Sequence, residues 1–203
     1  MEDVIFLPLR VCLPWLSLIQ INQNLMNRKQ FIAAGIVALP LAKAYSSEEP
    51  KKPFVVPANK NKYDGVSYFH GQNLNNLKIS KKDTDGSISM YEYVGMEKIG
   101  PPMHVHFKQD EIFYVVEGEY RFVVGKETHV LRAGDSVFLP RNIAHTWLQL
   151  SDSGKMIYML NPAGTFEEFF DKLNTYKGPV SPEEFDKITL AHEMKNVVPP
   201  LSL

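Results

Sequence analysis

Cysteine is almost missing from this sequence: the 203-residue chain has one, Cys12, near its N-terminus. The body of the chain therefore forms no internal disulfide and offers neither a thiolate metal site nor a thiol nucleophile, so any metal must be held by histidines and carboxylates. Net charge is almost missing as well, because 22 lysines and arginines face 23 aspartates and glutamates. Nor does the chain have a basic run to follow a phosphate backbone, and nucleic acid is not an expected partner. No internal repeat is present. What remains is 44% hydrophobic and 22% charged, an ordinary globular mixture, long enough beyond its first segment for one core.

The apolar run from Phe31 to Leu41 has 11 residues, about half of the roughly 20 that a membrane span needs. It lies between the basic pair Arg28-Lys29 and Ala42-Lys43-Ala44, a small-x-small cleavage site, and the three parts together read as a secretory signal. Arg28-Lys29-Gln30-Phe31-Ile32 also resembles a twin-arginine signal with Lys29 in place of the second arginine. Export to the periplasm or beyond, by the Sec or the twin-arginine route, is expected, with no membrane span left after processing. Signal peptides begin at the initiator methionine, and residues 1–25 would bury the basic pair in mid-chain, so translation is expected to start at Met26. The sequence thus divides into a leader (1–44), a proline-rich linker or extended arm (45–62), a β-barrel (63–164) and C-terminal helices that pack on the barrel (165–203).

The barrel reading rests on short runs rich in β-branched and aromatic residues: Leu74 to Ile79, Ser87 to Val94, Ile112 to Glu117, Tyr120 to Val124, Thr128 to Leu131, Ser136 to Leu139, Thr146 to Leu150 and Lys155 to Leu160. Asp-Gly, Glu-Gly and Ala-Gly-Asp separate them, the pattern of an antiparallel sandwich or barrel. The period then changes. Thr165 to Glu168 reads as a capping box, and Phe166, Phe169, Phe170 and Leu173 recur at helical spacing. Ser181-Pro182-Glu-Glu184 predicts a second helix with proline in its first turn.

His104 and His106 are separated by one residue, so on a strand both imidazoles point to the same face and can approach one ion. Glu111 follows five positions later and adds a charged oxygen donor; His145 follows a glycine turn at Gly134 and a proline turn at Pro140. Three imidazoles and a carboxylate suit one divalent Fe, Mn, Ni, Cu or Zn ion. A lone barrel histidine is more often a hydrogen-bonded core residue than a ligand. Asp110 is a rival to Glu111, which the strand parity and the spacing to Gly118 favour. His70, His129 and His192 match no position of the pattern and are expected to be structural or solvated.

The order HxH, Glu111, Gly118, then Gly134, Pro140 and His145 resembles the two-motif pattern of the cupin superfamily. Lys98 stands where that pattern has a glycine, with Gly100 close by; Asn142 stands where glycine is common and Gln149 where asparagine is. The turn after Pro140 must take an unusual backbone angle, for which asparagine is the best residue other than glycine. Gly100-Pro-Pro before the histidines, Pro162 to Phe170 and Val197 to Leu201 look like the quercetin dioxygenase-like single-domain cupins. The resemblance implies an all-β fold, a double-stranded β-helix or jelly-roll barrel with a short C-terminal helical segment.

It also implies an oxidoreductase of dioxygenase type acting on a small organic molecule, aromatic or flavonol-like, with Glu111 both ligand and catalytic base. Phe113 and Val115 share the strand parity of Glu111, and Trp147 that of His145, so these three are the expected substrate-pocket residues. A non-catalytic module binding a small molecule or sugar, and a sugar isomerase, are the alternatives. A small-molecule substrate or ligand is the expected partner, with a homodimer left open.

Overall fold

In the computed structural model, the described residues are 51–69 and 73–202. The leader, its signal and the expected start at Met26 lie outside them, as does His70. Ten strands follow one another: β1 (Leu74–Ile79), β2 (Ser89–Gly95), β3 (Pro102–His106), β4 (Asp110–Glu117), β5 (Glu119–Val124), β6 (Glu127–Arg132), β7 (Ser136–Leu139), β8 (His145–Gln149), β9 (Gly154–Asn161) and, after two helices, β10 (Met194–Pro200). The helices are α1 (Phe166–Asn174) and α2 (Pro182–Ala191). No helix among the described residues is long and apolar enough to cross a membrane.

The strands form two five-stranded antiparallel sheets, ordered β1-β2-β9-β4-β7 and β10-β3-β8-β5-β6. This is the jelly-roll barrel with a short C-terminal helical part that the sequence predicts. Alternation decides which face turns inward: along β4, Glu111, Phe113 and Val115 are buried while Tyr114 and Val116 remain exposed. Along β9, Met156, Tyr158 and Leu160 alternate inward in the same way. From the facing sheet come Tyr120, Phe122 and Trp147, all at or below 3% exposure, so the interior is filled mainly by aromatic rings. Stacked Phe113–Tyr158 (5.1 Å) and edge-on Tyr93–Trp147 (4.9 Å) are the geometries aromatic quadrupoles prefer.

The arm, residues 51–62, turns at Ala58 and Asn59, where Asn59 has φ 59, and straps onto β1. The Lys62 N–H donates to the Leu77 carbonyl (2.8 Å), and Lys78 Nζ donates to the Pro57 and Lys60 carbonyls (2.6 and 3.0 Å). Covering β1 in this way protects an edge strand from pairing with another chain.

Two expectations need correction. The tail beyond Thr165 is not helical to its end: Met194–Pro200 returns as β10 and pairs antiparallel with β3, Met194 opposite His106 and Asn196 opposite His104. Two prolines and an exposed pattern disguise it. An edge strand tolerates proline because one side of its backbone has no ladder to complete. The capping box at Thr165 does not form either, since its side chain makes no cap bond. Glu168, the acidic member of that box, pairs with Lys81 instead, and Glu167 beside it accepts from the Ser80 hydroxyl (2.8 Å), the Lys81 amide (2.5 Å) and the Ser89 hydroxyl. They tie α1 to the β1–β2 connection. The second helix starts as read, with Ser181 Oγ accepting from the Glu184 N–H (3.3 Å) and Pro182 in its first turn.

Candidate metal centre and pocket

β3 carries His104 and His106, and its neighbour β8 carries His145 opposite His104. β4, in the other sheet, carries Glu111. Their donor atoms all lie within 4.8 Å of one another, so the cluster joins the two sheets across the barrel interior. His106, Glu111 and His145 are 0%, 3% and 1% exposed, and His104 is partly exposed at the mouth.

Local backbone geometry delivers these side chains. Gly100, before β3, lies so close to β8 that a Cβ there would come within 1.7 Å of the Trp147 carbonyl oxygen. Only glycine allows the two strands to meet at that point. Asn142, in the turn before β8, has φ 65, the left-handed angle expected there. Its N–H donates to the His106 carbonyl (2.8 Å), so the turn that leads to His145 is bonded to the strand carrying His106. Asp110, the rival carboxylate, is taken by Arg141, whose guanidinium donates to both its oxygens (3.0 and 2.7 Å). That pairing holds the Asp110 carboxyl down at about 2.

The protonation pattern of the cluster points toward a cation. His104 Nδ1 and His145 Nδ1 each face a backbone carbonyl, of Pro102 (2.8 Å) and Ile143 (3.0 Å). Carbonyls only accept, so both rings carry hydrogen on Nδ1 and, when neutral, turn an Nε2 lone pair inward. His145 Nε2 then meets Glu111 Oε2 at 3.1 Å, and His106 Nε2 lies 3.7 Å from the same oxygen. Acceptors this close repel unless a cation sits between them. Burial, then the neighbouring imidazoles, push His104 and His106 down to about 3, so neither ring holds an extra proton at neutral pH. Neither ring nitrogen of His106 has a hydrogen-bond partner. A proton satisfies one pair of these atoms, whereas a divalent ion satisfies all four donors at once, and N3O donation fits a transition metal. The residues therefore fit the group that the sequence implies.

Above the cluster is a cavity of about 600 Å³, open solvent at its mouth included. Glu111 and His104 form part of its wall, with Phe113 and Trp147 beside them. Val115, expected in the same wall, does not line it: at 0% exposure it is packed into the core one step further along β4. The rest of the wall was not anticipated as pocket. Phe166, Phe169 and Phe170 from α1, Phe185 and Thr189 from α2, and Met194 and Asn196 from β10 line it as well, together with Phe69 and Tyr158. The helical stripe of phenylalanines was visible in the sequence, but a stripe does not tell a core face from a cavity face. Among the described residues no lysine or arginine lines the cavity. Its polar groups are largely committed: the Tyr158 hydroxyl donates to Asn75 Oδ1 (2.7 Å), Asn196 Nδ2 donates to Asp186 (2.7 Å), and the Thr189 hydroxyl donates to the Phe185 carbonyl (2.7 Å). The free polar handle is the His and Glu cluster.

The histidines outside the pattern are elsewhere. His129 is exposed, with Glu127 at 3.3 Å, and His192 Nδ1 contacts the Ile188 carbonyl (2.7 Å) at the end of α2.

Comparison with known proteins follows the same lines. Residues 93–160 match the family described as Cupin domain. Quercetin 2,3-dioxygenase of Bacillus subtilis is 27% identical over 135 residues, which is 66% of this chain and 40% of that protein. An uncharacterized protein of Streptomyces coelicolor is 32% identical over 54 residues, 27% of this chain and 51% of that protein. The chain thus spans about half or less of the length of these curated relatives. Among solved structures, a predicted oxalate decarboxylase of Thermotoga maritima has a TM-score of 0.48 at 15% identity, covering 54% of this chain and 99% of that one.

Proposed function

The chain belongs to the cupin superfamily, and from that premise we propose that it is a metal-dependent oxidoreductase of dioxygenase type acting on a small, uncharged, aromatic organic molecule. One observation carries the reading: four convergent donors form the free polar end of an otherwise apolar, ring-lined cavity. His104, His106, Glu111 and His145 would hold one divalent ion of Fe, Mn, Ni, Cu or Zn. Such an ion, when bound, supplies a Lewis-acidic centre with positions open to substrate. The remaining work falls to side chains. Phe113, Trp147 and the phenylalanines of α1 bind a flat ring and exclude water, and Glu111 takes the proton of an acidic substrate hydroxyl on a carboxylate oxygen. The similarity to a quercetin 2,3-dioxygenase agrees with this substrate class.

A carboxylate substrate fits less well, because no lysine or arginine among the described residues lines the cavity to pair with it beside the proposed ion. A sugar isomerase fits less well for a related reason: a polyol needs many hydrogen-bond partners, and those in the wall are committed. A binding module without turnover is favoured by the same apolar wall and is the second reading.

Oxygen uptake by Fe(II)- or Mn(II)-loaded protein across flavonols, catechols and diketones tests the choice. Turnover of an aromatic substrate is expected. Ligand-dependent melting shifts without uptake would give the binding module instead. Glu111→Gln keeps an oxygen donor of similar size but loses the base, so turnover should fall about a hundred- to ten-thousand-fold at saturating metal. Full recovery with added metal would leave Glu111 a ligand only.

Export is proposed on the signal-like segment alone. The mature chain should begin at Tyr45 and fractionate with the periplasm, which N-terminal sequencing decides. A mature protein retaining Phe31 to Leu41 would overturn it.

A further inference from the structure

His104 and His145 have their tautomers fixed by backbone carbonyls, but no carbonyl serves His106, although it is the most deeply buried of the three. Its Nε2 faces Glu111, which turns Nδ1 to the opposite edge of the ring. Gln109 stands beside that ring. It is 1% exposed, its Nε2 donates to Glu193 Oε2 at 2.6 Å, and its Oε1 has no hydrogen-bond partner. Two buried atoms are thus left without partners on residues three positions apart at the β3–β4 connection, His106 Nδ1 and Gln109 Oε1, and an imidazole N–H and an amide oxygen are complementary.

The amide cannot turn round, because Glu193 holds it. Lys108 Nζ lies 2.9 Å from Glu193 Oε1 and keeps that carboxylate ionised, hence an acceptor only. Glu193 itself is clamped at φ 66 between α2 and β10, and its carbonyl accepts the Phe107 N–H (2.9 Å). Gly164 makes room for the contact: at φ +56, a Cβ there would lie 1.9 Å from Gln109 Nε2 and 2.9 Å from Glu193 Oε2.

We infer that Gln109, oriented by Glu193, is a positioning residue that holds the His106 ring with hydrogen on Nδ1 and the Nε2 lone pair toward the four-donor cluster. It does for His106 what Pro102 and Ile143 do for the other two rings, with the C-terminal tail as its anchor. The inference rests on the metal reading for its purpose, and not for its geometry.

The test separates the two. In metal-free, isotope-labelled protein, long-range proton–nitrogen correlation spectra report the tautomer of each histidine ring, and His106→Asn identifies the His106 signals. The wild type should show the Nδ1–H form at His106. Gln109→Leu removes the acceptor at similar size and should give a mixture of tautomers, with Zn(II) affinity reduced about 10- to 100-fold. Glu193→Ala, which frees the amide to rotate, should shift the tautomer in the same sense and serves if Gln109→Leu does not fold. An unchanged His106 tautomer in a folded Gln109 or Glu193 variant overturns the inference. Wild-type protein that binds no Zn(II) overturns the metal reading, while the tautomer measurement still decides the role of Gln109.

Discussion

Two parts of the molecule meet at the cavity and differ in kind. The strands β3, β4 and β8 bring His104, His106, Glu111 and His145 to a common point, four polar groups, three of them buried, that together could hold one cation. The tail from Phe166 to Pro200 brings area: rings from α1 and α2, and a strand that completes the sheet beside the histidines. A point constrains each residue to one type and one direction, whereas area can be supplied by many side chains of roughly the right size. On the proposed reading, chemistry is concentrated in the barrel and shape selectivity in the tail, and the hydrogen bond from Gln109 to Glu193 is one of the ties between the two parts.

The largest effect should come from removing a donor at the common point. With free metal at about a thousand times its dissociation constant, binding stabilises the native state by about 4 kcal/mol. His145→Ala should abolish that shift in a thermal melt, and elemental analysis should fall from close to one ion per chain to near zero. A metal-dependent shift that survives in both His145→Ala and His106→Ala would dissolve the contrast drawn above.

Removing area from the tail should act on a different observable. Phe170 is 4% exposed, stands edge-on to Phe166 and lines the cavity. Phe170→Ala should destabilise the chain by roughly 3 kcal/mol, the lower end for a buried phenylalanine because the site borders a cavity and not a fully closed core. Metal stoichiometry should stay at the wild-type level while the affinity for an aromatic ligand falls. Chemical denaturation, elemental analysis and ligand titration on one preparation separate these outcomes. Loss of metal with Phe170 would mean that the tail shapes the donor cluster as well as the cavity.

The same contrast explains what could be read in advance. Ligand spacing is local and periodic, so His104 and His106 could be placed on one face from strand parity, Glu111 could be told from Asp110 by parity and its spacing to Gly118, and β1 and β7 were legible to the residue because turn signals bound them. Area is a tertiary property. β10 was hidden because Pro199 and Pro200 argue against a strand unless one knows that it lies at a sheet edge. Phe166, Phe169 and Phe170 read as a packing stripe, which they are, but the cavity they face depends on the distance between α1 and the barrel. Val115 failed as a pocket residue for the same reason: parity gives the face of the strand and not the depth along it. Glu168 left its capping role for Lys81, 87 positions away in sequence, a partner that no local pattern reveals.

A smaller effect tests whether the donor end is held from outside as well as within. Asp110 precedes Glu111, and Arg141 follows Pro140 in the turn toward His145, so their bidentate pair links the two segments that deliver the donors. The guanidinium holds the Asp110 carboxyl at about 2, below its ordinary 3.8. A carboxylate whose folded value is depressed contributes stability that is complete above its unfolded value and is lost as pH falls through the folded one. The contribution is therefore whole above about pH 4 and fades between about pH 4 and pH 2. Both side chains are partly exposed, at 39% and 24%, so solvent and salt screen the pair and the effect is expected to be modest. Arg141→Met should flatten the acid limb of the stability curve over that window and leave the neutral-pH fold intact. Stability measured by denaturant titration from pH 5 to pH 2, in wild type and variant, gives the difference directly. Parallel acid limbs would mean that the guanidinium is a surface contact with no hold on the turn, and that the delivery of His145 rests on backbone donors, the Arg141 N–H to Asp110 and the Asn142 N–H to the His106 carbonyl.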